Sequence, residues 1–363
     1  MRHIFVDTER MRDLNSGLGQ TCLRVGQELV RQQPSGTSLT FLVPPGQSGV
    51  FGEPSGTLQY REASWWQRFY GPGPAAGSAG TDRFDVWHNL HQDAAYWPSH
   101  QPDRLILTIN DLNFLERPDY SDEKKQRKLA AVQRRIDRAQ VLTTISNYTA
   151  GVVRQHLNVP DSKPLQTVYI GVSELPPVPI NMPAALGTLA KPFFLFLGVI
   201  HPKKNIHVLL ALAQAFPDYT LVLAGRDNHP YAAHLRQQAE QLGVANNVLF
   251  TGPVDEAAKA WLYAHCEAFL FPSLSEGFGL PVVEAMHYGK PVFLSRLTSL
   301  PEVGGKEAFY FDSFGPEAIV ETFRAGMQAY YDDPLKAQRL TWQANRFSWQ
   351  QTGKAYWALY LEA

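Results

Sequence analysis

Short runs dense in Val, Ile, Leu and Phe recur along the whole chain and alternate with stretches of helical periodicity. The runs fall at 3–7, 39–43, 85–88, 105–109, 141–145 and 167–170, then at 193–198, 220–224, 248–251, 268–271, 291–294 and 309–311. They are too uniformly apolar for strands wet on one face, so they predict parallel sheets covered on both sides. Helical patterns lie between them at 19–32, 122–139, 206–215, 231–242, 256–265 and 281–288. Strand, helix, strand is the order of doubly wound α/β domains, and 363 residues suit two of them. Pro176, Pro177, Pro179 and Pro183 forbid regular structure between the halves. The expected division is a domain at 1–172, a linker at 173–191 and a second domain at 192–340. An aromatic segment at 341–363 is expected to form a helix that packs back on the first domain. Trp65, Trp66, Phe69 and Tyr70 precede a Gly, Pro and Ala stretch at 71–80, which predicts a mobile surface loop beside an apolar patch.

Charge and composition exclude several classes. Lys plus Arg number 33 against 34 for Asp plus Glu, a net charge of −1, so no global basic field exists to hold nucleic acid. With 44% hydrophobic and 18% charged residues the chain lies far from disordered compositions. The longest apolar stretch, near 192–200, is about half of what a membrane-spanning helix requires. An acid at Asp7 stands where a signal peptide would be apolar, and a cytoplasmic protein is expected. Cys22 and Cys266 are far apart and suggest neither a disulfide framework nor a metal site. His88 and His91 lack the spacing and the partners of zinc ligands, so no metal is expected.

The most informative segment runs from Pro272 through Glu276, Gly277, Phe278, Gly279, Leu280 and Pro281 to Glu284. It follows an expected strand, and Pro281 suits the first turn of a helix that Gly289 can end. Gly277 and Gly279 thus sit on a strand-to-helix turn where bare backbone approaches a ligand beside free amides and a positive dipole end. Glu276 and Glu284 flank that anion seat. Lys203, Lys204 and Asn205 likewise follow the first strand of the second half and open a helix, placing an ammonium where a diphosphate would lie. Arg226, after the strand at 220–224, ends at the same carboxyl edge, where open α/β sheets bind ligands. In the first half, Gly17 and Gly19 form a second glycine turn. Cys22 stands where a dinucleotide fingerprint would need its third Gly, and the strand at 3–7 lies too far upstream, so that fingerprint fails. His88 and His91 end one strand and Asn110 the next.

Glu, seven residues, Glu, with Gly277-Phe278-Gly279-Leu280-Pro281 inside, resembles the signature of family 4 retaining glycosyltransferases, which depend on nucleotide sugars. The Gly17–Gly19 turn, Lys203-Lys204-Asn205, Ser299-Leu300-Pro301-Glu302-Val303 and Phe347-Ser348-Trp349 are similar to further motifs of that family. The resemblance implies the GT-B fold, two Rossmann-like doubly wound domains facing a central cleft, and a retaining hexosyltransferase of bacterial surface-glycan or lipopolysaccharide type. It implies a nucleoside-diphosphate sugar as donor, a glycan or glycolipid as acceptor, and no metal or other cofactor. It assigns the donor phosphates to Lys204 with Gly17 and Gly19, the hexose to Glu276 with the amides of Gly277, Phe278, Gly279 and Leu280, and the ribose to Glu284. Lys203 and Arg226 are further expected donor contacts. The family subgroup carries His where this chain has Asn110, so Asn110 is expected at the reacting sugar, with His91 supplying an imidazole from the neighbouring strand. Two other readings stay open: a catalytically silent sugar-nucleotide binder and a nucleotide-sugar epimerase. A glycoside hydrolase fits less well, because two Glu on one turn and helix do not flank opposite faces of a sugar. The basic stretch at 123–138 reads either as a solvated helix face or as a contact for an anionic acceptor or the inner face of the cytoplasmic membrane.

Overall fold

The computed structural model describes the chain except for residues 15, 64–82, 118, 173–176, 180, 188, 190 and 363. The expected loop at 71–80 and its aromatic flank therefore lie outside the described residues. The chain divides into two compact units, 1–173 with 348–363, and 174–347.

In the first unit β1 (Arg2–Asp7), β2 (Thr37–Val43), β3 (Leu58–Glu62), β4 (Val86–Asn89), β5 (Arg104–Ile109), β6 (Val141–Thr144) and β7 (Leu165–Thr167) form one parallel sheet, in the order 3-2-1-4-5-6-7. Every residue of β2, β4 and β6 is buried, as strands covered on both faces require. Helices α1 (Gly17–Arg31), α2 (Asp122–Arg138) and α3 (Asn147–His156) complete the crossovers, opening on the hydroxyl caps of Ser16, Ser121 and Ser146. One face of the sheet packs Phe5, Trp87, Leu105, Leu107 and Ile109 against Leu129, Val132 and Ile136 of α2.

The second unit repeats the plan with β8 (Phe193–Leu197), α4 (Leu210–Ala215), β9 (Thr220–Ala224), α5 (Pro230–Gln241), β10 (Val248–Gly252), α6 (Glu256–His265), β11 (Ala268–Phe271), α7 (Leu280–His287), β12 (Val292–Ser295), α8 (Leu300–Gly304) and β13 (Phe309–Phe311). The strand order is 10-9-8-11-12-13, again all parallel. Two helices close the unit, α9 (Pro316–Asp332) and α10 (Lys336–Ala344). The last helix, α11 (Trp349–Leu361), belongs to the first unit.

The change of unit falls after residue 347 and not at 341. A cut at 341 would sever α10, which is fastened within the second unit by the buried Lys336–Glu307 ion pair at 3.1 Å and by Gln343 donating to the Val303 carbonyl at 3.0 Å. The strand expected at 167–170 is shorter and earlier, at Leu165–Thr167. Among the described residues, the linker stretch holds one turn of 3-10 helix at Ala184–Leu186 and no strand.

Candidate functional site

In the second unit β8, β11 and β12 lie side by side, so the loops leaving their carboxyl ends meet. After β8 the chain passes His201, whose Nδ1 accepts the Lys203 amide, and makes a single 3-10 turn at Pro202–Lys204. Asn205 closes the turn in the left-handed region at φ 56°. The Lys203 carbonyl accepts the Leu274 amide at 2.8 Å, which ties this turn to the loop after β11. Lys204 then reaches the Glu276 carboxylate in an ion pair, and its ammonium lies 4.8 Å from the centre of the Phe271 ring. Both side chains are almost buried, at 11% and 12% exposure. Burial lowers the Lys204 pKa from its ordinary value, and the Glu276 charge opposes that shift. Lys203 and Arg226, by contrast, are exposed.

The turn from Glu276 to Leu280 is held from the loop that follows β12. The Glu276 amide donates to Thr298 Oγ1 at 3.2 Å, and the Ser299 hydroxyl lies 3.1 Å from the Glu276 carbonyl and 2.9 Å from that of Phe278. Gly279 has φ 111°, in the left-handed region that favours glycine, and a Cβ there would also press on Leu300 Cδ2 at 2.9 Å. No side chain caps α7 at Gly279, which leaves the first amides of the helix beside Glu276 without a side-chain acceptor. Phe278 is 3% exposed and packs edge-on against Phe347, so its ring supports the turn from within the unit. Near the same junction Asn205 Nδ2, Ser273 Oγ and Ser275 Oγ are buried without a hydrogen-bond partner. Each such atom costs on the order of 1–3 kcal/mol, a cost that ligand oxygens reaching them would remove.

Glu284 belongs to a different network from Glu276. Its carboxylate accepts the Tyr263 hydroxyl at 2.8 Å and pairs with Lys259 at 3.2 Å, both on α6. Sequence reasoning missed these two residues, although their four-residue spacing on an expected helix signals one shared face.

In the first unit Gly17 and Gly19 open α1, and the two glycines differ. A Cβ on Gly19 would stand 2.1 Å from the Asp13 carbonyl oxygen, whereas one on Gly17 would meet nothing within 4 Å. Gly19 is therefore required by packing, and Gly17 leaves backbone open to approach. Asn110 is 7% exposed, with Nδ2 donating to the Leu90 carbonyl at 2.9 Å and its amide donating to Gln92 Oε1 at 3.0 Å. It locks the end of β5 to the loop that carries His91. His91 Nδ1 accepts the Asp93 amide at 2.9 Å, so the ring proton sits on Nε2. Burial, joined by the charges of Arg10, Arg135 and Lys128 and opposed by Asp93, holds His91 neutral with a pKa of about 3. His88 is wholly buried between Tyr360 at 2.6 Å and Thr108 at 2.8 Å, a structural histidine.

Asp7 ends β1 in the buried interior, and sequence reasoning did not single it out as a site residue. Burial pushes its carboxyl up to about 7; Glu9 adds to the shift, while the Glu9 amide and the Arg10 and Arg12 charges oppose it. Along α2, Lys124 lies 3.5 Å from the Tyr120 ring centre and Arg138 4.6 Å from that of Trp97, while Arg135 pairs with Asp93 at 3.2 Å. Among the described residues no helix is long and apolar enough to cross a membrane, and no three His, Cys, Asp or Glu side chains converge as a metal site.

Comparison with known proteins shows what the chain as a whole is similar to. Residues 182–344 match the family described as Glycosyl transferases group 1. The chain is 28% identical over 284 residues to O-antigen chain mannosyltransferase B of Escherichia coli, covering 74% of each protein. It is 31% identical over 261 residues to the serotype-specific mannosyltransferase WbdA of Escherichia coli, 68% of this chain but only 31% of that longer protein. Sucrose-phosphate synthase from Thermosynechococcus elongatus shares the fold with a TM-score of 0.75 and 15% identity, over 99% of this chain and 98% of that one.

Proposed function

We infer that this chain, which belongs to the group 1 glycosyl transferases, is a retaining mannosyltransferase that uses a nucleoside-diphosphate mannose to extend a bacterial surface polysaccharide of O-antigen type. The observation that carries the reading is the Lys204–Glu276 pair at the carboxyl edge of the second sheet, beside the uncapped start of α7. The mannosyl residue and the polysaccharide follow from the relatives, whose names specify O-antigen and serotype-specific mannosyltransferases.

As the glycosidic bond of the donor breaks, negative charge grows on the departing diphosphate and must be met by a preorganised cation and amides. Lys204 supplies the cation, with Lys203 and Arg226 at the rim, so no metal is needed for that step. Glu276 holds the hexose together with the amides of Gly277 to Leu280, and Glu284 holds the ribose. Lys204 exchanges part of its pairing with Glu276 for the phosphate. The acceptor hydroxyl attacks on the face that the diphosphate leaves, and the phosphate oxygen takes its proton. In the first unit, Gly17 offers open backbone, and the neutral His91 donates from Nε2 on a loop braced by Asn110. The exposed basic residues of α2 attract an anionic acceptor at the inner face of the cytoplasmic membrane, where each contributes about 1 kcal/mol.

The test is product formation from GDP-, UDP- and ADP-mannose, with and without a mannose-terminated acceptor. Nucleoside diphosphate release is expected only when acceptor is present; conversion of the nucleotide sugar into its epimer, without acceptor and without net release of nucleoside diphosphate, would point to an epimerase instead. Glu276→Gln keeps the volume and an acceptor for Lys204 but not its counter-charge, and is expected to lower the melting temperature and, measured well below it, to lower kcat about 100-fold or more. Turnover at the wild-type rate in that variant would remove Glu276 from the reaction.

A further inference from the structure

Glu284 enters α7 with both carboxylate oxygens already engaged. Oε2 accepts the Tyr263 hydroxyl at 2.8 Å, and Oε1 faces the Lys259 ammonium at 3.2 Å. Lys259 and Tyr263 lie four residues apart on α6, so one helix face presents both to the same acid. Tyr263 is fully buried, its ring held 5.6 Å from Phe269 and 5.8 Å from Tyr288, so the hydroxyl has a fixed position. Lys259 is anchored from its other side by Glu256 at 2.9 Å. The Lys259 and Glu284 side chains remain 20% and 18% exposed, sheltered but within reach of a ligand. Apolar side chains would bury at this junction with less desolvation, so packing alone does not call for such a network.

We propose that Tyr263 and Lys259 are positioning residues that fix the Glu284 carboxylate in the orientation needed to grip the two hydroxyls of the donor ribose; this rests on the ribose role given to Glu284 above. Each carboxylate oxygen spends one lone pair on its protein partner and keeps another for a sugar hydroxyl. A diol asks for two acceptors at a set spacing, and a carboxylate pinned at both oxygens supplies them already ordered. A freely rotating one would be ordered anew at each binding event, with a loss of affinity. The clamp also keeps its protons through the neutral range. Burial and the Glu284 charge together hold the Tyr263 hydroxyl neutral, while for Lys259 burial lowers the pKa but Glu284 and Glu256 outweigh it.

Calorimetric titration of the intact chain with GDP, UDP and ADP tests the assignment. With whichever nucleotide binds the wild type, Tyr263→Phe and Lys259→Met are each expected to weaken affinity about tenfold, and Lys259→Arg to restore most of it. In a Glu284→Ala background neither change should weaken binding further, because the group they position is gone. Melting temperatures without nucleotide separate a loss of fold from a loss of positioning. If Glu284→Ala loses affinity but Tyr263→Phe and Lys259→Met bind like wild type, the positioning role is overturned and the ribose role stands. Equal weakening by Tyr263→Phe with and without Glu284 would also overturn it. Wild-type affinity in Glu284→Ala, or no binding of any of the three nucleotides, would end the ribose reading and this proposal with it.

Discussion

Asp7 is a single carboxyl whose surroundings set an unusual dependence of stability on pH. It sits at the end of β1 with one oxygen accepting the Glu9 amide at 3.0 Å, and burial lifts its pKa from 3.8 to about 7. The folded chain therefore binds this proton more tightly than the unfolded chain, and the stability it contributes falls as pH rises through that window. His88 and His91 have the opposite sign, since burial lowers each from 6.5 to about 3. The unfolded chain takes up those protons first, so their stabilisation is present above pH 6.5 and is lost on acidification. Over the overlap Asp7 partly cancels the two imidazoles. Asp7→Asn retains an oxygen for the Glu9 amide but removes the titration, and is expected to steepen the acid loss by up to about 1.4 kcal/mol per pH unit. Urea unfolding at several values between pH 4.5 and 6.5 reads this directly; parallel curves for variant and wild type would show that Asp7 does not hold the extra proton. Little of this was legible in the sequence. An acid at the end of an apolar run is visible, but its burial depends on neighbours such as Cys22 and Glu9 that only the fold assembles.

At the scale of elements, the pattern of two-sided strands was legible because a buried parallel strand needs no polar face. The miss at β3 has the converse cause: Leu58-Gln59-Tyr60-Arg61-Glu62 lies on the sheet edge, only Leu58 is buried, and no apolar run marks it. The turn into α7 was legible from its glycines and Pro281, whose steric roles are local. The partners of Glu284 were not, because Lys259 and Tyr263 reach it from another helix. The turn into α1 gives a test at this scale. Gly17 and Gly19 look alike in sequence, yet an added Cβ is free at Gly17 and collides with the Asp13 carbonyl at Gly19. Gly19→Ala is expected to destabilise by about 1–3 kcal/mol. Gly17→Ala is expected to cost nothing or to stabilise by a few tenths of a kcal/mol, while raising KM because the methyl group occupies the open approach. Urea curves and steady-state kinetics on both variants separate the two roles. A Gly17→Ala enzyme with unchanged KM would leave that turn with no part in binding.

For the whole molecule the decisive feature is that the chain leaves the first unit, builds the second, and returns at 348 to finish the first. The aromatic content of the tail marks a helix that must be buried somewhere, but the sequence does not show what receives it. The receiver is a buried polar chain across the centre of the sheet: Tyr360 to His88 at 2.6 Å, His88 to Thr108 at 2.8 Å, and Thr108 to Thr143 at 2.7 Å, on β4, β5 and β6 in turn. Trp357 adds a bond to the Leu29 carbonyl at 3.0 Å, and a Cβ on Gly171 would collide with the Trp349 amide at 2.0 Å, so α11 lies tight against its unit at both ends. His88, whose place at a strand end left a structural and a functional role equally open, is the socket for the returning helix. Tyr360→Phe removes one hydroxyl and leaves a ring nitrogen of His88 buried without a partner, at an expected cost of about 1–3 kcal/mol. In a His88→Leu background that nitrogen is absent, so the same change should cost clearly less, a coupling of at least about 0.5 kcal/mol. Urea denaturation of the four proteins in this cycle measures it. Strict additivity would mean that the hydrogen bond between Tyr360 and His88 contributes nothing to closing the unit, and that the helix is retained by its other contacts.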